Sequence, residues 1–475
     1  MEFSIIIQNP LIFMNETFLK KHALNEEFSE YELKIISQND IIYKIIISLK
    51  TEELQISFIE KFNNSFFLEN INYKLIIEKF NKNEFDKLNE NILQSHPPLQ
   101  KKNFFREYER IVFDDYEILD NKNGLLNHNE IEKERIYRTV KWLIKKLGTN
   151  LIQGRSILNI SFPVFLFDKR TMQQVFEYEQ SISPIYLTLA ALSKNNFERL
   201  KWVICFGISQ LYLSTIQVKP FNPIIGETSQ VRIGTMRLYI EHTVNHPITS
   251  NFYGIEDNNL FKIYGFTIVD AVTGANNVLA QRLGKFFIEF NDGQKFQFKI
   301  PATLLQGTIM GDRLWNYVHN MLIIDYTNNL CAHIQFNPDE IGYFKSFFKH
   351  KQKTLPDTFR GGIYNLSDVT ISEKDCIHHL KKNATSFVKI EGRWTSHIEF
   401  DGDEYWNVDD YKLLGKYDDG FILPSDGRYR EDLKFFIKDD EENSQKEKEK
   451  LEELQRKDRK LRKEWIEKNK NLINV

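Results

Sequence analysis

The chain has 475 residues, with 63 Lys and Arg against 66 Asp and Glu and a net charge of −3. That length implies one large and one small domain rather than a single core, and the near-balanced charge gives no basic field that would point to nucleic acid as a partner. The three cysteines, Cys205, Cys331 and Cys376, form no CxxC pair, which argues against a zinc ribbon or a disulfide framework and fits reduced thiols in the cytosol.

The N-terminus reads "MEFSIIIQNPLIF". An early acid, no basic stretch and a polar interruption after three Ile argue against a signal peptide. Residues 1–95 read as a small β-rich domain. "YELKIIS", "IIYKIIISLK", "ELQISFIEKF" and "YKLIIEKF" alternate or run apolar in short stretches, as strands do. "NKNEFDKLNENILQ" then reads as a helix. Small adaptor domains, pleckstrin-homology-like ones among them, share that outline. Residues 96–135 open with "HPP", are dense in charge, and are expected to be a linker.

Val140, Leu143, Ile144 and Leu147 recur at i, i+3, i+4 and i+7, predicting an amphipathic helix over 138–147 that Gly148 closes. Helical patterns follow at 171–181, 184–193 and 196–216, the last two broken by Asn195-Asn196. From Gly226 to about residue 400 the pattern changes to short strands such as "RLYIEHTV", "FKIYGFTI" and "CAHIQF", with a hairpin turn at "NDGQ" (291–294). Many successive strands without helices between them predict an antiparallel sheet curled toward a barrel. Glu441–Lys470 is rich in helix formers with few apolar residues, among them Leu451, Leu454, Leu461 and Trp465. Asp458 falls on that narrow seam and weakens a coiled-coil reading. Nowhere do about 18–20 apolar residues run together, so no helix is expected to span a bilayer.

No nucleophile elbow, HExxH, Walker loop or dinucleotide fingerprint occurs, which tilts the chain away from enzymes. "CIHH" at 376–379 reads as a helix surface, and no metal site or cofactor is expected. Other residues are better placed for recognition. Lys219 stands on a turn stiffened by Pro220 and Pro223, a fixed point charge suited to a phosphate. His246 precedes Pro247, which biases it toward extended backbone. Lys448, Glu452 and Arg456 are spaced i, i+4, i+8 and line one helix face.

Taken together these segments resemble the oxysterol-binding-protein-related lipid-transfer family. "KPFNPIIGET" (219–228) follows one of its motifs almost letter for letter, and "EHTVNHPITSNF" (241–252) looks like its fingerprint EQVSHHPPISAF. "ILNISFPVFLFDKRTMQQVFEYEQ", "LAALSKNNFERLKWVICFGIS", "EGRWTSHIEF", "LPSDGRYREDL" and "KEKLEELQRKDRK" extend the likeness in family order over about 140–470.

The resemblance implies an α+β, mainly β domain at 136–475. It would be a nearly closed antiparallel barrel around a lipid tunnel, with helices before the barrel and at the C-terminus and a lid at 138–154 (Val140, Leu143, Ile144, Leu147). It also implies intracellular transfer of phosphatidylinositol 4-phosphate and a sterol or another lipid by a cytosolic protein that meets membranes peripherally. Lys219, Asn245, His246, Lys448, Glu452 and Arg456 would hold the headgroup, with Glu452 on inositol hydroxyls, and Gln210 would meet a sterol hydroxyl. "VFDDYE" (112–117) faintly resembles the acidic two-phenylalanine peptide that binds an endoplasmic-reticulum receptor, without its first aromatic.

One departure stands out. The family's His-His is Asn245-His246 here and its second Pro is Ile248. Asn245 donates a hydrogen bond but carries no charge, and charge-assisted bonds are about twice as strong as neutral ones, so headgroup binding should be weaker by about 1 kcal/mol. His242 should point to the opposite strand face and be a poor substitute. Two other readings stay open: a lipid sensor or tether that binds without net transfer, and a lipid-modifying enzyme.

Overall fold

The computed structural model describes the strands Phe3–Gln8, Tyr31–Gln38, Ile41–Leu49 and Leu75–Ile76, and then residues 116–119, 122–147, 161–193, 195–215, 218–308, 310–338, 354–371, 378–408, 416–417 and 422–469. The first four strands form their own sheet. Ile41–Leu49 pairs antiparallel with both Tyr31–Gln38 and Phe3–Gln8, and Leu75–Ile76 adds to the outer side of Phe3–Gln8. The helix expected after these strands and the 112–117 peptide up to Asp115 lie outside the described residues.

Most other strands join one large antiparallel sheet curled into a barrel. It begins as a meander, Thr228–Ile233, Met236–Val244, Ile248–Glu256 and Phe261–Thr273, with strictly alternating burial along the first strand. Phe261–Thr273 then serves two partners. Its first half pairs with Phe286–Phe290 and its second half with Asn277–Arg282, so the sheet forks. Gly265 sits at the fork because a Cβ there would lie 2.1 Å from the Lys285 carbonyl oxygen. The first branch continues through the expected hairpin at Gly293 (φ +87°) to Lys295–Phe298 and on to Asp403–Asn407. The second runs through Ala302–Gln306 and Leu314–Val318.

That second branch ends on Leu125–Asn127 and Tyr116–Ile118. The described residues 116–119 and 122–135 are therefore not the linker their charge density suggested. Strands of three residues are too short for a period-2 signal, and they are held by their neighbours rather than by their own pattern. Helix α1, Glu130–Leu147, likewise starts eight residues before the expected 138, because Asn129 caps it through Glu132 N (3.0 Å).

Three helices, α2 (Met172–Glu179), α3 (Ser183–Leu192) and α4 (Asn196–Leu213), supply the barrel's filling. Thr171 and Gln174 close a capping box on α2, and the Asn195 side chain accepts from Phe197 N and Glu198 N to start α4. Nearly every α4 residue after Lys201 is buried, as for a helix apolar on all faces. Phe206 packs edge-on to Phe286, and at Gly207 a Cβ would meet Met321 at 2.9 Å, so helix and sheet touch closely.

A second, smaller core of Phe162, Val164, Leu166, Phe167, Phe221, Leu433 and Phe436 ties the segment before the barrel to helix α5 (Glu431–Ile437). Helix α6, Glu441–Lys468, follows. His379–Leu380, expected on a helix surface, is instead a short strand paired with Val369–Thr370, and the backbone carbonyl of His378 lies 3.0 Å from His333 Nε2. Among the described residues no cluster of metal-ligating side chains forms.

Candidate functional site

Between α2, the meander and the second branch lies a cavity of about 350 Å³. Val175, Phe176, Ile240, Phe252, Val269 and Leu305 give it a largely apolar wall. Polar side chains interrupt this wall, among them a Glu179–Arg282 ion pair (Nη1 to Oε2, 2.6 Å) and Tyr317, whose hydroxyl lies 2.6 Å from Ser214 Oγ. Burial raises the Tyr317 hydroxyl above its ordinary pKa, so it stays a neutral donor. A wall of this kind accepts hydrocarbon and orients it with a small number of hydrogen bonds.

Lys219 lines the cavity where the chain leaves α4. Lys219–Phe221 runs parallel to Phe167–Thr171, and this register sets Lys219 beside Phe167, with Nζ 4.9 Å from the ring centroid. Nζ donates to the Pro220 carbonyl (3.2 Å) and to Asn222 Oδ1. Lys448 arrives from α6 over the same ring, at 5.8 Å, and is 7% exposed. It donates to Ser161 Oγ (3.2 Å) and pairs with Glu452. Burial in this corner, followed by repulsion from Lys448 and then Arg430, brings the Lys219 ammonium down to about 7. The cavity leaves part of the Lys219 surface open, but the protein encloses the ammonium closely enough to cost it most of its hydration.

Arg430 braces the corner. It donates to the Asn222 carbonyl (2.7 Å) and to Glu227 Oε2 (3.0 Å), and grips Asp432 through Nε (3.0 Å) and Nη2 (2.7 Å). Glu227 in turn accepts from Ile224 N (3.0 Å), which closes the turn after Lys219. Burial pushes the Glu227 carboxyl upward against the pull of Arg430. Ser444 at the start of α6 donates to the Asp432 carbonyl (2.8 Å), so this network also fixes the helix that carries Lys448. Arg430 and Asp432 lie within the segment "LPSDGRYREDL". Their motif signalled that they matter, but pairing across more than two hundred residues cannot be seen in a chain.

Glu452 accepts from Ser161 Oγ (2.8 Å), Lys448 and Arg456 (3.3 Å), and Arg456 itself stands exposed. His246 and half-buried Asn245 sit at the tip of the hairpin joining Met236–Val244 to Ile248–Glu256, with the Asn245 Nδ2 and His246 Nε2 atoms 3.4 Å apart. Burial, then repulsion from Arg459 of α6, lowers the His246 pKa, which places this tip near the helix. His246 reaches the Lys219 corner only indirectly, through buried His242. Burial lowers His242 to about 4, and Arg430 and His246 are among the charges acting on it. His242 holds Ser250 Oγ through Nδ1 (3.1 Å) and is 0% exposed, so it points inward and away from the tip, as its strand position implied.

Gln210 differs from expectation. Its amide donates to the Phe206 carbonyl (3.3 Å) and faces Gln180 (3.5 Å), and it is not among the side chains lining the cavity. A glutamine late in a buried helix turns to its own helix when a neighbouring helix supplies an amide partner, and sequence gives no sign of that. Tyr317 and Ser214 do line the cavity, and their hydroxyls bond to each other and to the Leu211 carbonyl. Helix α1 borders the cavity through Arg135 and Thr139, and the Trp142 ring lies tilted against Phe162 (centroids 5.8 Å apart, 41°). The side chains of Val140, Leu143, Ile144 and Leu147, and residues 148–154, lie outside the described residues.

The family model described as Oxysterol-binding protein matches residues 147–472. The chain belongs to the oxysterol-binding protein family. It is 33% identical over 335 residues to oxysterol-binding protein 9 of Dictyostelium discoideum, covering 70% of this chain and 77% of that one. To the human oxysterol-binding protein-related protein 6 it is 24% identical over 345 residues, covering 68% of this chain and 34% of the relative. Among solved structures it is similar to the Osh3 ORD in complex with PI(4)P from Saccharomyces cerevisiae (TM-score 0.52, 19% identity, 68% of this chain and 84% of that one). It is equally similar to the Osh1 ORD domain in complex with ergosterol (TM-score 0.52, 18% identity, 67% and 79%). At these identities the structural likeness speaks for the fold.

Proposed function

We propose that this protein binds phosphatidylinositol 4-phosphate, with the headgroup at the cationic rim and the acyl chains in the cavity, and carries it between membranes in exchange for a sterol or another lipid. The observation that carries this reading is the Lys219–Lys448 pair, two cations crowded onto one phenylalanine ring at the mouth of an apolar cavity. Lys448 already pairs with Glu452, whereas Lys219 has lost hydration and feels the repulsion of Lys448, a cost that an arriving anion offsets. A phosphate supplies that anion, and Glu452, already accepting a hydroxyl from Ser161, is positioned to accept one from an inositol.

Transfer is the function such a site serves best. Lipid tails cost about 0.8 kcal/mol per CH₂ when exposed to water, and an apolar cavity lowers the barrier to leaving a bilayer without changing the end states. The ligands of similar solved domains, PI(4)P, ergosterol and cholesterol, support two competing occupants. Helix α1, bordering the cavity, acts as the start of the lid. The protein works from the cytosol, meets membranes peripherally, and transforms neither lipid.

The test is extraction of phosphatidylinositol 4-phosphate from vesicles by the full chain. Lys219→Ala and Lys448→Ala should each abolish extraction and leave the circular dichroism spectrum unchanged. Extraction that survives in both variants would refute the headgroup assignment.

A further inference from the structure

The outer half of α6 leaves the body of the protein. From Arg456 to Lys468 every side chain is exposed, and Leu454, Leu461 and Trp465 are each more than half exposed. At 100° per residue these three lie within about 40° of one another on the helix. Around them, residues 455–468 carry seven Lys and Arg against Asp458, Glu464 and Glu467.

A second copy of the helix is a poor occupant for this face. With Leu451, Asp458 and Trp465 at a and Leu454 and Leu461 at d, a parallel pair would set Asp458 against Asp458 and Lys457 against Arg462. Both contacts join like charges. An anionic lipid surface fits instead. Trp favours the headgroup level of a bilayer, and Lys and Arg attract acidic lipid while their stems lie along apolar surface.

We propose that the exposed end of α6 is a membrane-docking surface that lays Leu461 and Trp465 among the headgroups of an anionic bilayer. The same helix carries Lys448 and Glu452 at the mouth, about 25 Å away along its axis for the 17 residues from Lys448 to Trp465. Docking therefore holds the mouth beside the membrane from which a lipid must leave. This rests on the reading that the mouth takes its ligand from a bilayer. Asp458 lies within the apolar stripe and keeps the helix shallow, which makes the contact reversible.

The experiment is co-sedimentation of the full chain with phosphatidylcholine vesicles, with and without phosphatidylserine and free of phosphoinositide, at low and high salt. Phosphatidylserine should promote binding and salt should weaken it. Leu461→Ser with Trp465→Ser should reduce the partition by at least about tenfold, and Asp458→Asn should raise it several-fold. Lys460→Glu with Lys463→Glu gives a second variant that leaves the stripe intact and should also lose binding. Unchanged partition in both double variants would overturn the proposal, as would a change from dimer to monomer by light scattering with no change at vesicles. Water-soluble glycerophosphoinositol 4-phosphate separates the two readings. Its binding should survive Leu461→Ser with Trp465→Ser, and its failure to bind the unaltered chain would strike the headgroup reading while leaving the docking surface in place.

Discussion

The two sides of the rim are built differently. On one side Lys219 and Lys448 stand in a packed corner on Phe167, held by strand register, by Ser161 and by the Arg430 network. On the other, His246 is exposed at a hairpin tip, and Arg456 extends from the open face of α6 to Glu452. The braced side has already lost its rotamer freedom on folding, so an anion binding there does not have to order it. The exposed side must be ordered by the ligand, and its charges are screened by water and salt. Affinity should therefore concentrate at Lys219 and Lys448, with the hairpin tip adjusting it.

Four tests would break or sharpen that contrast. The largest effect is expected at Arg430. Arg430→Met leaves Glu227 and Asp432 buried without their partner, and should cost about 3–5 kcal/mol of stability in urea unfolding. A loss well below this would mean that the corner does not depend on its brace. Next come the rim cations, measured by calorimetry with glycerophosphoinositol 4-phosphate. Lys219→Ala or Lys448→Ala should each cost about 1.5–3 kcal/mol of binding, against less than about 1 kcal/mol for exposed Arg456→Ala. Equal losses at all three would erase the difference between the two sides.

The pH response sharpens it further. Lys219 titrates near 7 in the folded chain and at its ordinary 10.5 when unfolded. Between those values the folded state binds fewer protons, so this group makes stability rise with pH across that window. Lys219→Met should flatten that rise in a stability–pH series. Headgroup binding runs the other way, because a phosphate needs the ammonium form. It should weaken as pH climbs above about 7 and be accompanied by proton uptake, and calorimetry in buffers of different ionisation enthalpy reads this directly. A stability slope unchanged by Lys219→Met would show that burial does not lower this ammonium. The smallest change is at the tip, where Asn245→His should tighten binding by about 1 kcal/mol. Unchanged binding in that variant would show that the tip does not face the phosphate.

Much of the site was legible in the chain because motif residues keep their order and spacing. Lys219 was readable as a rigid charge from its two prolines, and the i, i+4, i+8 ladder as one face of a helix. The approach of Lys219 to Lys448 was not readable from spacing alone, since it is made by a parallel strand pair and by α6 packing on α5, while His246 stays apart at its hairpin tip. The short strands Tyr116–Ile118 and Leu125–Asn127 were hidden in charged sequence because their pairing is decided by Leu314 and Trp315 across the sheet. Gln210 illustrates the opposite limit. A polar residue in a buried helix invites a ligand role, yet its partner is another buried amide. Cavity-lining residues such as Tyr317 and Ser214 carry no sequence signal distinct from ordinary core tyrosine and serine.

The central claim is that a braced pair of lysines closes an apolar cavity by gripping a lipid phosphate. Its most direct test is native mass spectrometry of the full chain incubated with phosphatidylinositol 4-phosphate vesicles, beside Lys448→Ala. One intact phosphoinositide per unaltered chain, and none on the variant, is the predicted result. Equal loading of both proteins, or a chain that carries no lipid at all, would contradict it.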